Sequence, residues 1–156
     1  MSQPIVSDTL LTPIQHEILD VVLDQMIPTD SARNKPSARD VGVFEYIADR
    51  SPESFQEIAR QLDDLDAQAF MSRKTPYTEL SRDLQDETLN RLREEDPRFL
   101  TDLALHTVAC YYLDSRVMTA IGLPSRAPYP DGYTIQRGDL TLLDPVRDRG
   151  EIWRRA

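Results

Sequence analysis

Three side chains with nucleophilic or acid–base chemistry fall at helical spacing in this sequence: His106, Cys110 and Asp114. Residues four apart lie on one face of a helix, so the His106 imidazole could accept the proton of the Cys110 thiol. The thiol stands among apolar residues, however, and this context predicts a buried and unreactive cysteine. An independent enzyme built on these three groups is therefore the weakest of three functional hypotheses.

Other common catalytic and cofactor-binding arrangements are missing from the sequence. The second histidine, His16, has no further ligand at metal spacing, and both histidines are expected to be ordinary helix residues. The five glycines are never adjacent or two apart, which excludes the phosphate-binding loops of nucleotide-binding folds. A single cysteine excludes an internal disulfide and a cysteine-ligated cluster. We therefore assign no catalytic, cofactor-binding or metal-binding residue.

The sequence does contain residues that are suited to contact a protein surface. A helical pattern stops at Gly122 and continues into a segment that is rich in proline and tyrosine. Such a backbone lies extended, and its aromatic side chains need a surface to cover them. Tyrosine, tryptophan and arginine are the residues that dominate protein interfaces. The residues predicted to bind a partner are Tyr112, Asp114, Arg116, Pro124, Arg126, Pro128, Tyr129, Pro130, Tyr133, Arg137, Trp153 and Arg154.

Two alternatives stay open for these residues. The segment after residue 125 could fold back over the protein's own helices instead of binding a partner. Asp114 and Arg116 could cap and pin the local helix junction instead of contacting another chain. Each alternative would satisfy the same polar and apolar groups within this protein.

The charge is divided unevenly along the chain. Residues 126–156 hold six arginines and five acids, a net charge of +1, whereas the whole chain has a net charge of −9. The first 125 residues therefore hold 12 basic and 22 acidic groups, a net charge of −10. An acidic body repels phosphate backbones, so we expect no nucleic-acid partner. Arginine without lysine in the last segment suits a protein interface.

The elements that would position these groups are helices. Capping residues stand before proline at Thr12, Ser51 and Asp96, and Ser81 and Asp114 are further predicted N-caps. Apolar residues follow at spacings of three and four, as with Ile14, Ile18, Val21, Val22 and Met26 in the first helix. The helix after Asp96 is apolar nearly all round from residue 103 to 113. Such a helix belongs at the centre of a bundle or against a partner.

These patterns predict an all-α protein, a bundle of about five to six helices followed by an extended irregular C-terminal arm. The expected domains are a helical bundle over 1–125 and an arm over 126–156 that binds a partner. No apolar run approaches the ~20 residues of a membrane span. The chain shows no signal peptide, so we expect a cytoplasmic location, or a periplasmic one if a partner exports it.

The order of several short motifs resembles one known family. Leu11-Thr12-Pro13 and Met26-Ile27-Pro28-Thr29-Asp30 bracket the first helix, and Val41-Gly42-Val43-Phe44-Glu45-Tyr46-Ile47 covers the second. Pro76-Tyr77-Thr78-Glu79-Leu80-Ser81, Tyr111-Tyr112-Leu113-Asp114-Ser115-Arg116-Val117 and Ile121-Gly122-Leu123-Pro124 complete the series. Together they resemble the small third subunit of gluconate 2-dehydrogenase and its relatives.

The resemblance implies a non-catalytic small subunit that stabilises or matures a large FAD-dependent subunit. That partner would be a sugar or alcohol dehydrogenase of the glucose–methanol–choline (GMC) oxidoreductase type. The FAD would belong to the partner, no cofactor would belong to this chain, and a cytochrome c or another acceptor would take the electrons. The remaining hypothesis is a free-standing helical adaptor that recruits an unrelated protein.

Overall fold

A computed structural model describes residues 10–125, 132 and 138–150 of the chain. Across these residues the protein is all-α, with seven α-helices, short 3-10 turns and no β-strand. The predicted fold class is confirmed. The helices are α1 Pro13–Met26, α2 Val43–Arg50, α3 Phe55–Arg73, α4 Arg82–Glu95, α5 Pro97–Tyr111, α6 Ser115–Ala120 and α7 Asp144–Arg147.

Three predicted N-caps are confirmed with their hydrogen bonds. Thr12 forms a reciprocal capping box with Gln15 at the start of α1. The carboxylates of Asp96 and Asp114 each accept a hydrogen bond from the backbone N–H two residues later, which starts α5 and α6. The predicted stop at Gly122 also holds, since this residue follows α6 with φ +76°.

The structure refines the predicted elements at three positions. Ser81 occupies the N-cap position of α4, but its side chain makes no capping hydrogen bond. Ser51 precedes a 3-10 turn, Pro52–Ser54, before α3 begins. Ile14 is 64% exposed, because the buried face of α1 is centred on Ile18 and its neighbours and the Gln15 side chain takes the inward position near the N-terminus.

Most of the core lies among the first five helices. Helix α1 packs on α3, α2 packs on α5, and α4 packs on both α3 and α5. Buried apolar side chains from every one of these helices form a single cluster that includes Leu19, Ile47, Leu62 and Leu103. This shared cluster fixes the relative positions of the helices on which the candidate site lies.

A 3-10 turn, Tyr77–Glu79, ties three helices together. The Tyr77 ring is fully buried, and its hydroxyl donates to the side-chain oxygen of Gln25 in α1. The Tyr77 backbone N–H donates to Asp66 in α3 at 2.8 Å, and the Gln85 amide of α4 donates to the Tyr77 carbonyl at 3.1 Å. Burial raises the pKa of the Tyr77 hydroxyl well above its usual value, so this group stays a hydrogen-bond donor.

The chain divides into two units, Met1–Ser125 and Arg126–Ala156. The first contains α1 to α6, and the described part of the second contains the 3-10 turn Leu140–Leu143 and α7. The role of the second unit as a partner-binding arm stays a prediction. None of the helices in the described ranges is long and apolar enough to cross a membrane.

Candidate partner-binding surface

Asp114 and Arg116, two of the predicted binding residues, form a local cluster at the start of α6. The Asp114 carboxylate accepts from the Arg116 backbone N–H at 2.8 Å and pairs with the guanidinium at 2.7 Å. The guanidinium also donates to the backbone carbonyl of Asp40 at 2.7 Å. Through these contacts Asp114 and Arg116 cap α6 and hold it to the backbone at Asp40, which is the local alternative that the sequence left open. A role of the pair in partner binding stays a prediction.

The guanidinium also controls the titration of the capping carboxylate. Hydrogen bonds from the Arg116 side chain lower the pKa of Asp114 below its usual value, and the backbone N–H adds to this effect. Asp114 is therefore ionised at neutral pH. Its negative charge lies at the N-terminus of α6, where the helix dipole favours it.

Tyr112 and Pro124 are the other predicted binding residues that the structure describes. Both are exposed, and the Tyr112 ring is 51% accessible to solvent. The Tyr112 ring meets the ring of its neighbour Tyr111 edge-on, with centroids 5.7 Å apart. The remaining predicted residues lie outside the described part of the chain: Arg126, Pro128, Tyr129, Pro130, Tyr133, Arg137, Trp153 and Arg154.

The structure shows no catalytic site formed by His106, Cys110 and Asp114 together. The Cys110 thiol is buried and donates to the backbone carbonyl of Val41 at 3.4 Å. Burial raises the pKa of this thiol, which keeps it protonated and poorly nucleophilic. His106 lines a separate cleft of about 110 Å³ beside Ser54 and Asp102. Among the described residues, no cluster of three or more His, Cys, Asp or Glu could hold a metal ion.

Helix α5 carries a second apolar face that the core does not cover. Leu105, Val108 and Tyr112 recur at spacings of three and four, and we call these three residues the α5 stripe. They are 66%, 46% and 51% exposed, respectively. No Asp, Glu, Lys or Arg occurs from residue 103 to 113. An uncharged, exposed apolar face of this kind makes α5 a candidate interaction surface.

The stripe borders an open groove between α4 and α5. The groove has a volume of about 670 Å³ and is lined by apolar side chains from both helices, including Leu89, Leu100 and Ala104. The sequence reasoning placed α5 at the bundle centre or against a partner, but it did not identify this groove. The missing information was which face of α5 the other helices bury.

The fold and this surface can be compared with known protein families. The family model described as gluconate 2-dehydrogenase subunit 3 matches residues 13–123. The chain belongs to the gluconate 2-dehydrogenase subunit 3 family. The resemblance inferred from the short motifs is therefore confirmed. No curated protein and no solved structure matches the chain.

The match to the gluconate 2-dehydrogenase subunit 3 family covers the helical body of the chain. The matched range begins at the first residue of α1 and ends three residues after α6. It contains the α5 stripe, the α4–α5 groove and the Asp114–Arg116 pair. The predicted arm, residues 126–156, lies outside the matched range.

Proposed function

We propose that this chain is the non-catalytic small subunit of a heteromeric dehydrogenase and stabilises a large FAD-dependent catalytic subunit. The observation that carries the proposal is the family match across the whole helical body. The family is named for one subunit of a dehydrogenase, so membership supports a role within such a complex. The exposed, uncharged α5 stripe supplies a surface suited to a partner.

The proposed partner is a GMC-type oxidoreductase that oxidises a sugar or an alcohol. Its FAD, proton-abstracting base and substrate pocket would all belong to that large chain. A cytochrome c or another acceptor would receive the electrons through the complex. In this proposal the small subunit contributes surface burial and folding support, while the chemistry belongs to the flavin site.

The arm over residues 126–156 is the second proposed contact with the large subunit. Tyr129, Tyr133 and Trp153 would be its aromatic anchors, because such residues contribute most of the binding energy at many interfaces. Within this unit, residues 138–150 also carry the exposed apolar side chains Leu140, Leu142, Leu143 and Val146. Obligate complexes can bury more than ~2,000 Å², an area that an extended arm helps to reach.

Affinity purification from the native source tests this function. We expect a tag on this chain to recover one large subunit with an absorbance band near ~450 nm, the usual position of oxidised flavin. Mass spectrometry would identify the large chain, and dehydrogenase assays with sugars and alcohols would define its substrate. Recovery of an unrelated, colourless protein would support the adaptor hypothesis instead.

Co-expression tests the stabilising role. The large subunit should be recovered in soluble, flavin-loaded form when this chain is present, and in lower yield when it is absent. The measured quantity is the molar ratio of flavin to large subunit after purification. Equal yield and equal flavin loading without this chain would contradict a maturation role while leaving simple association intact.

A further inference from the structure

The α4–α5 groove combines an apolar lining with two polar side chains that have no partner among the described residues. Leu89, Leu100 and Ala104 line the groove together with two members of the α5 stripe, Leu105 and Val108. Ala104 is the smallest of these side chains, and it leaves room between the larger neighbours. The groove therefore offers space for apolar side chains from another molecule.

Most polar groups at the groove already have partners. The Gln25 side chain accepts from Tyr77 and donates to Asp86, and the Thr101 hydroxyl donates to the Pro97 carbonyl. Asp86 also pairs with Arg82 at 3.6 Å.

Asn90 and Arg93, one helical turn apart on α4, are the exceptions. Within the described part of the chain, neither side chain has a hydrogen-bond or ion-pair partner, although both line the groove. The free charge of Arg93 and the free amide of Asn90 are thus available to a bound molecule.

The openness of the groove favours a protein occupant over a small molecule. A small ligand is held by a pocket that buries most of its surface. Here Leu105 and Val108 are 66% and 46% exposed, so a small ligand would stay largely in water. The side chains of two neighbouring helices, with a groove between them, are instead suited to receive the ridge of a third helix.

The charge of the helical body argues against a second copy as that third helix. Each copy of residues 1–125 carries a net charge of −10, so two bodies facing each other would repel. A different chain need not carry the same net charge. Arg93 further favours a segment that brings its own carboxylate to the groove.

We infer that the α4–α5 groove receives one amphipathic helix of the large catalytic subunit. This helix places apolar side chains at spacings of three and four over Leu89, Ala104 and Leu105, and a carboxylate against Arg93. The inference rests on the proposed function for its occupant. It adds the place and the chemistry of a contact made by residues of the helical body.

Three variants of the full chain test the groove, each with affinity for the purified large subunit as the readout. Leu105→Asp places a charge in the apolar contact and should raise the Kd at least about 30-fold. Ala104→Phe fills the groove without changing its polarity and should also weaken binding. Arg93→Glu opposes the carboxylate of the partner and should weaken binding about tenfold, with a reduced salt dependence.

Matched control variants separate the groove from general surface effects. Ile14→Asp changes an apolar residue of α1 with almost the same exposure as Leu105, 64% against 66%. Arg91→Glu changes a neighbouring arginine of α4 that pairs with Glu87 and does not line the groove. Both controls should bind like the wild-type chain. Thermal melting of every variant checks that the helical body stays folded.

The outcomes distinguish this inference from the proposed function. Weaker binding by the groove variants, together with wild-type binding by both controls, supports the groove as the docking site. If folded Leu105→Asp and Arg93→Glu bind with wild-type affinity, the groove is not the docking site. The proposed accessory-subunit function is unaffected by that result. If the wild-type chain recovers no flavoprotein at all, the proposed function fails, and the assignment of this occupant fails with it.

Discussion

Tyr111 and Tyr112 are adjacent in the chain but lie in opposite environments. The Tyr111 ring is buried, and its hydroxyl donates to the Pro36 carbonyl at 2.9 Å, whereas half of Tyr112 is exposed. Tyr111→Phe should lower the free energy of unfolding by about 1 kcal/mol, because it leaves that carbonyl without its donor. Tyr112→Phe is the matched control and should change stability very little. Urea unfolding followed by circular dichroism measures both, and equal losses would contradict this assignment.

Asp114 gives a prediction with a defined pH dependence. Asp114→Ala removes the cap of α6 and should lower the free energy of unfolding by about 1 kcal/mol at pH 7. The pKa of Asp114 is lowered in the folded state, so its stabilising effect is present above its ordinary pKa of 3.8. That effect is lost as the pH falls through the lowered value.

Urea unfolding of Asp114→Ala and the wild-type protein between pH 7 and pH 3 measures this effect. The difference between them should be constant near neutrality and shrink at the acid end. Asp114→Asn is the control, since asparagine is also a good N-cap but carries no titrating charge. A difference that stays unchanged down to the most acid condition would mean that the ionised carboxylate contributes nothing to α6.

At the scale of helices, a capping side chain followed by proline predicted the helix start correctly at two of the three positions Thr12, Ser51 and Asp96. Thr12 and Asp96 show this, since both starts and both capping hydrogen bonds are confirmed. Ser51 has the same local pattern but opens a 3-10 turn. Gly42, at φ +77°, separates α2 from the preceding 3-10 turn, a break that apolar periodicity alone does not show.

The candidate surface was only partly accessible from sequence. The absence of charge from residue 103 to 113 correctly indicated that α5 is apolar on more than one face. Which face stays open depends on the packing of α2 and α4 against α5, and this packing is a tertiary property. For the same reason Arg116 was predicted at an interface while its contact with the Asp40 carbonyl, 76 residues away in sequence, could not be foreseen.

Helix α3 offers a direct test of the core. Leu62 is fully buried, whereas Met71 on the same helix is 76% exposed. Leu62→Asp should abolish the cooperative unfolding transition, because a buried and unpaired charge costs several kcal/mol in a fold of marginal stability. Met71→Asp should melt at nearly the wild-type temperature. Unchanged melting of Leu62→Asp would place this residue outside the core.

At the scale of the whole molecule, the helical body and the arm are predicted to have separable roles. A chain that ends after Pro130 should keep the melting temperature of the body, because the buried cluster lies entirely within the first unit. The same truncation should weaken assembly with the large subunit, and Trp153→Ala should do so to a smaller extent. Full co-purification of the truncated chain would show that the arm is not part of the interface.

Combining the two sites tests whether the arm and the groove contact the partner independently. Distant sites without shared contacts contribute additively to binding free energy. The truncated chain that also carries Leu105→Asp should therefore show a Kd increase equal to the product of the two single increases. A smaller combined increase would mean that the two sites act through one shared contact. Titration calorimetry with the purified large subunit measures all four combinations, and melting of each confirms that the helical body remains folded.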